Sequence, residues 1–162
     1  MKILSFAILF FFVVAATVLA VGQLGLLRGR MPEDLGIHNG RLKPPSLTPN
    51  SVSSQADLYP NHPQRDYARI DPIRFSDEPE KAMQRLEKTL RSMDRVEVVK
   101  HETDYLYAQA STPLLKFTDD MEFWLDRQGN AIQIRSASRL GGKDFNVNRQ
   151  RMETIRAQFA KN

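Results

Sequence analysis

The amino-acid sequence predicts an α+β protein. Its expected parts are an N-terminal transmembrane or signal helix, then a small antiparallel sheet of four or five strands with two helices packed on one face, in the order β-α-β-β-β-β-α. Three observations carry this expectation. Residues 3–22 are apolar and uncharged. Four segments between residues 96 and 138 alternate apolar and polar residues and are separated by short turns. Two other stretches, 83–93 and 152–159, repeat apolar residues every three or four positions. Strands joined by short turns pair antiparallel, and single-striped helices need an apolar face to cover.

The opening run, ILSFAILFFFVVAATVLAVG, follows Met1 and Lys2. In a helix it rises about 30 Å, the thickness of a hydrocarbon core. Beyond Gln23 the apolar character continues to Leu27 and stops at Arg28 and Arg30, which makes residues 1–27 an anchor or a signal peptide. The unbroken length favours an uncleaved single-pass anchor. Small residues at Val18 and Ala20 also allow cleavage after Ala20. Charges flank both ends, so the positive-inside rule leaves orientation open.

Residues 28–66 hold Pro32, Pro44, Pro45, Pro49, Pro60 and Pro63 among many Ser and Asn. Proline fixes φ and removes a donor, so this stretch reads as a linker that later wraps the domain, with residues 51–55 docking on it. The α+β domain is expected over 67–162. Ile70, Ile73 and Phe75 suggest a short strand. Asp77 has the N-cap role for a helix, with Glu80 at capping-box spacing and Pro79 in the first turn. Met83, Leu86, Leu90 and Met93 form its stripe, and Glu87 and Arg91 an i,i+4 pair.

Residues 96–99, 104–110, 117–126 and 131–138 are the four strands. In the second, Tyr105 and Tyr107 share one face and Leu106 and Ala108 the other. In the third, Phe117, Met121, Phe123 and Leu125 oppose Asp120, Glu122 and Trp124. Residues 127–130 make a hairpin turn in which Gly129 supplies positive φ. Burying Ile132 and Ile134 with Phe123 and Leu125 leaves two registers, one with Glu122 and one with Trp124 opposite Arg135. A last helix follows, with Asn148 as N-cap, Val147 and Met152 as a staple, Arg149 paired with Glu153, and Met152, Ile155 and Phe159 facing inward.

The hairpin brings two polar stretches together. One contains Asp119, Asp120 and Glu122. The other contains Arg135, Ser136, Ser138 and Arg139, followed by Asp144, Asn148, Arg149 and Arg151. Three readings of this cluster stand side by side. It is a structural ion-pair network, or a recognition site whose arginines hold an anionic small molecule, lipid or envelope-protein group, or a hydrolytic site using the carboxylates. The formal net charge of +4 is spread among acidic residues, unlike a nucleic-acid stripe. The chain has no Cys, which excludes disulfides and thiol chemistry. His38, His62 and His101 lack ligand spacing, so neither a metal nor a cofactor is expected. The resulting expectation is a non-enzymatic binding or accessory domain, held to a membrane through residues 3–27 on its extracytoplasmic side. An envelope hydrolase is the alternative.

The chain resembles the domain of unknown function 1499 family from about residue 45 onward. The resemblance rests on Asn50 with Val52-Ser53-Ser54, Asp104-Tyr105-Leu106, Phe117 with Asp119-Asp120 and Glu122-Phe123, and RSASR at 135–139 with Gly141. Asp144, Asn148, Arg149 and Arg151 complete it. It implies an exported or membrane-attached protein. It also implies Cys in many members where this chain has Pro45 and Ser51, so any thiol role is absent here.

Overall fold

The computed structural model describes residues 2–162. Helix α1, Lys2–Gln23, opens the chain, and its side chains are exposed along nearly the whole length. Among the described residues it is the one helix long and apolar enough to cross a membrane, a property that anchors and signal sequences share.

Strand β1 (Ser51–Ser53), a 3₁₀ turn at Ala56–Leu58, helix α2 (Arg65–Ala68) and strand β2 (Ile73–Arg74) follow. Then come α3 (Pro79–Arg91), β3 (Val96–Glu102), β4 (Tyr105–Ser111), β5 (Thr118–Asp126), β6 (Ala131–Ser138) and α4 (Val147–Phe159). The α+β arrangement is as expected, but six strands form the sheet. Their order is β1-β6-β5-β4-β3, all antiparallel, and β2 also pairs with β6. β1 and β2 share the outer edge of β6, at Arg135–Ala137 and Ala131–Ile132. Ser54 fills the gap between them, its amide donating to Ile134 O at 2.9 Å. At the opposite border β3 carries a register shift between Val98 and Lys100.

Helices α3 and α4 cover one face of the sheet. Met83, Leu86 and Leu90 from α3 and Met152, Ile155 and Phe159 from α4 join Leu106, Met121, Phe123, Leu125, Ile132 and Ile134 in one core. Burying a side chain such as Phe123 stabilises the fold by roughly 1.5–3 kcal/mol. Met93 lies at the core's margin, and Glu87 pairs with Arg91 at 2.7 Å. Residues 30–45 form a strap across the second face, where Leu42 is buried against Tyr105 and Tyr107 and flanked by Leu35 and Trp124.

Local chemistry differs from expectation at five places. Helix α3 is capped by Glu78, with Pro79 at the first helical position and no side-chain cap bond. Asp77 instead pairs with Arg85 at 2.9 Å, and Glu80 reaches Arg127 at 2.7 Å, so tertiary ion pairs outcompete the capping box. In the β5–β6 turn the left-handed residue is Asn130, φ 47°, not Gly129. At Gly129 the Asp126 carboxyl group lies where a Cβ would stand, so a side chain there would displace the bond that the Gly129 amide donates to Asp126. The N-cap of α4 is Asn146, φ 67°, which leaves Val147 exposed and without the staple contact. Glu153 pairs with Arg156, which frees Arg149 to bind the carbonyls of Tyr67 and Arg69. Phe117 precedes the strand and is exposed.

Candidate functional site

Of the two registers left open, the structure takes the one with Glu122 opposite Arg135. Because side chains alternate along β5 and β6, the polar cluster is divided between the two faces of the sheet, and this register sets Glu122 against Arg135 on one of them.

On the strap face, Asp120 accepts from Arg139 Nε at 3.0 and 3.1 Å and from its Nη2 at 2.7 Å. Tyr107 donates its hydroxyl to Asp120 at 2.6 Å and in turn accepts from Arg139 Nη2 and Gln109 Nε2. One residue pair along, Glu122 accepts from Arg135 Nη1 at 3.3 Å, from the Tyr105 hydroxyl at 2.9 Å and from the Gly36 amide at 2.8 Å. Arg135 Nε donates to Pro44 O. The strap therefore supplies backbone partners to the Glu122–Arg135 pair, while the Asp120–Arg139 pair is completed by Tyr107. A cleft of about 190 Å³ remains beneath it, lined by Arg30, Lys43, Pro44, Asp120, Arg135 and Arg139 among others. A wider, more open groove of about 540 Å³, with Asp34, His38, Arg41 and Tyr59, lies on the far side of Lys43 and Pro44.

On the helix face, Asn148 is the hub. It is fully buried in the first turn of α4. Its Nδ2 donates to Asp144 at 2.9 Å, Ser138 Oγ at 3.0 Å and Asn50 O at 3.2 Å. Its Oδ1 accepts from Ser136 Oγ and from Arg151 Nη1. Arg151 bridges onward to Asp119 at 2.7 Å. Asp144 carries the capping work expected of Asn148: it accepts from the amides of Asn146 and Asn148 and from the Tyr67 hydroxyl. Arg149 belongs to neither network.

The electrostatics follow from this burial. Desolvation pulls Arg135 below the ordinary arginine value, while Glu122 and Asp120 act against it. For Arg139 burial acts in the same sense, but the hydrogen bond and charge of Asp120 outweigh it and leave the group raised. Burial pushes Asp144 upward, yet the bonds from Tyr67 and Asn148 hold it below the usual carboxylate range. Burial, reinforced by the bond to Asp120, pushes the Tyr107 phenol up to about 12. Tyr105 is raised further, by burial and by Glu122.

A phenol whose folded pKa exceeds its unfolded value of about 10 is bound to its proton more tightly in the fold. The stability this contributes is whole below pH ~10 and is lost as pH rises through about 12. Unfolding in urea across that window is expected to show a shallower loss for Tyr107→Phe than for the unaltered chain. Equal slopes would remove Tyr107 as the cause.

Tyr105, Tyr107 and Gln109 are site residues outside the polar cluster expected from the sequence, although strand alternation already puts both tyrosines on one face. Arg30, Gly36 and Lys43 carry no periodic signal, since the strap has no repeating structure. Neither the curated proteins nor the solved structures contain a match to this chain. Residues 41–159 match the model of the family described as "Protein of unknown function (DUF1499)", and the chain belongs to that family.

Proposed function

We propose that the protein is a membrane-anchored binding domain that holds an anionic group, a carboxylate or a phosphate, in the cleft between strap and sheet. In this reading the domain faces away from the cytoplasm, as it would if the apolar leader directs export. One observation carries the binding reading. Arg135 and Arg139, with side chains 3% and 6% exposed, both line the cleft, and each keeps one amino group without a hydrogen bond among the described residues. Those groups are Nη2 of Arg135 and Nη1 of Arg139. A guanidinium fork fixed by one carboxylate presents its remaining N–H donors in a set direction, which suits planar or tetrahedral oxyanions.

The cleft's rim supports the same reading. Arg30 pairs with Glu33 and Lys43 with Asp34, both in exposed positions. Exposed pairs of this kind are weak and exchange readily for a ligand. The buried pairs keep their partners. A hydrolase would need a carboxylate free to exchange a proton with substrate. Asp119, Asp120 and Glu122 are instead committed to arginine, and Asp120 and Glu122 to tyrosine as well.

The test is titration of the full chain, in uncharged detergent, with inorganic phosphate and with acetate. Saturable binding is expected. It should weaken about tenfold or more when Lys43→Met and Arg30→Gln remove charge-assisted donors at the rim. Identical, non-saturating responses from both proteins would overturn the proposal.

A further inference from the structure

We infer that the end of the domain nearest α1 is a membrane-docking surface, in which Leu114, Leu140, Phe145 and Val147 enter the acyl–headgroup boundary and Lys116 and Lys143 meet anionic headgroups. The inference goes beyond the cleft and rests on α1 lying in a bilayer.

Strand register supplies the geometry. β5 starts at Thr118 and β6 finishes at Ser138, and Asp119 pairs with Ser138. The β4–β5 loop, 112–117, and the segment after β6, 139–146, therefore leave the sheet at one end. Turns 103–104 and 127–130 lie at the other end, a nine-residue strand or roughly 30 Å away. The end of α1 touches the first of these ends. Gln23 Nε2 donates to Leu114 O at 2.8 Å, and a Cβ on Gly22 would stand 2.8 Å from Leu115 Cα. The chain stays there after the helix, since a Cβ on Gly29 would stand 2.8 Å from Arg139 Cβ and 3.0 Å from Leu140 Cγ. Val147 and Pro113 border one cavity, which brings the start of α4 to the same place. With α1 across a bilayer, Gln23 sits at its boundary and these loops with it.

The side chains at this end differ from those at the other. Leu114 is 64% exposed and Phe145 75% exposed, with Leu140 and Val147 also open to solvent. Phe145 has φ 52°, a conformation unusual for a bulky residue. It gains no core contact there, only the Lys143 ammonium 5.5 Å from its ring. The remote end carries Asp104, Arg127, Gln128 and Asn130, with Arg127 paired to Asp104 and Glu80. Aromatic and aliphatic side chains interleaved with lysines form the pattern of a surface that lies in an anionic membrane boundary.

The absence of Cys permits a clean test on the full chain. Leu9→Cys, Leu114→Cys, Phe145→Cys and Gln128→Cys are each labelled with an environment-sensitive dye. Each protein is reconstituted in phosphatidylcholine vesicles, with or without phosphatidylglycerol, that contain a lipid-borne quencher. Quenching is expected at positions 9, 114 and 145 and not at 128. It should be stronger at 145 with phosphatidylglycerol, and that increment should be lost in Lys116→Gln/Lys143→Gln. Quenching at 9 with 114 and 145 as accessible as 128 would overturn the docking surface and leave the anchor standing. A dye at 145 that is shielded from water yet unquenched by lipid would identify a protein cover, a second copy included, and overturn it equally. No quenching at 9 would remove the anchor and the surface together.

Discussion

Glu122→Ala is expected to lower the unfolding free energy by about 3–5 kcal/mol. The side chain is completely buried and takes three bonds, from Arg135, Tyr105 and the strap amide of Gly36. Its removal strands the Arg135 guanidinium, 3% exposed, without its paired carboxylate. The strap also loses the bond that fixes residue 36. Trp124, the sole tryptophan, stands two residues along β5 and reports the transition in urea by fluorescence. The double variant Glu122→Leu/Arg135→Met is expected to recover most of the loss, because a well-filled apolar pair avoids the desolvation penalty that two charges incur. If the double variant were as unstable as the single one, the loss would come from the strap's backbone bond and not from the unbalanced charge.

The second large effect is expected at Asn148. Asn148→Ala leaves Ser136 Oγ, Asp144 and the Asn50 carbonyl short of a partner in a buried setting. Ser136 Oγ loses its partner outright, while Asp144 keeps Tyr67 and two helix amides and the Asn50 carbonyl keeps the Ser138 amide, so a loss of about 1–3 kcal/mol follows. The damage should be local. Asn50 and Asp144 hold β1 and the start of α4 to the end of β6, so amide exchange is expected to accelerate in those elements before the β4–β5 ladder. Uniform acceleration through the sheet would contradict a hub confined to this corner.

The parts of the fold readable in sequence are those set by periodicity. Tyr105 and Leu106 alternate cleanly, as do Glu122 and Phe123, because each strand has one face on an apolar core and the other under a strap. The stripe Met83, Leu86, Leu90 is equally plain. What escapes the pattern depends on partners distant in the chain. Asp77 and Glu80 have ideal capping-box spacing, but Arg85 and Arg127 claim them. Asn148 has an N-cap's composition, but Asp144 reaches the exposed amides first and Asn148 turns inward. In the polar cluster, Asp119 and Asp120 are neighbours in sequence and serve opposite faces of the sheet. Alternation dictates that division, whereas the choice between Glu122 and Trp124 opposite Arg135 depends on a register that both turn and pattern leave degenerate. The strap's Gly36, Lys43 and Pro44 complete the site through backbone groups and a flexible amine, which leave no pattern in a sequence.

The borders of the sheet carry one further consequence. On one side the long strand β6 is shielded by two very short strands and a serine, so neither neighbour offers a run of free amides long enough to recruit another molecule. On the other side β3 is interrupted at Val99 and studded with Glu97, Lys100 and Glu102. Kinks and charges of this sort spoil strand-to-strand annealing between copies. Between copies of this chain, such blunted margins keep neighbouring sheets from fusing into a continuous fibrillar ribbon.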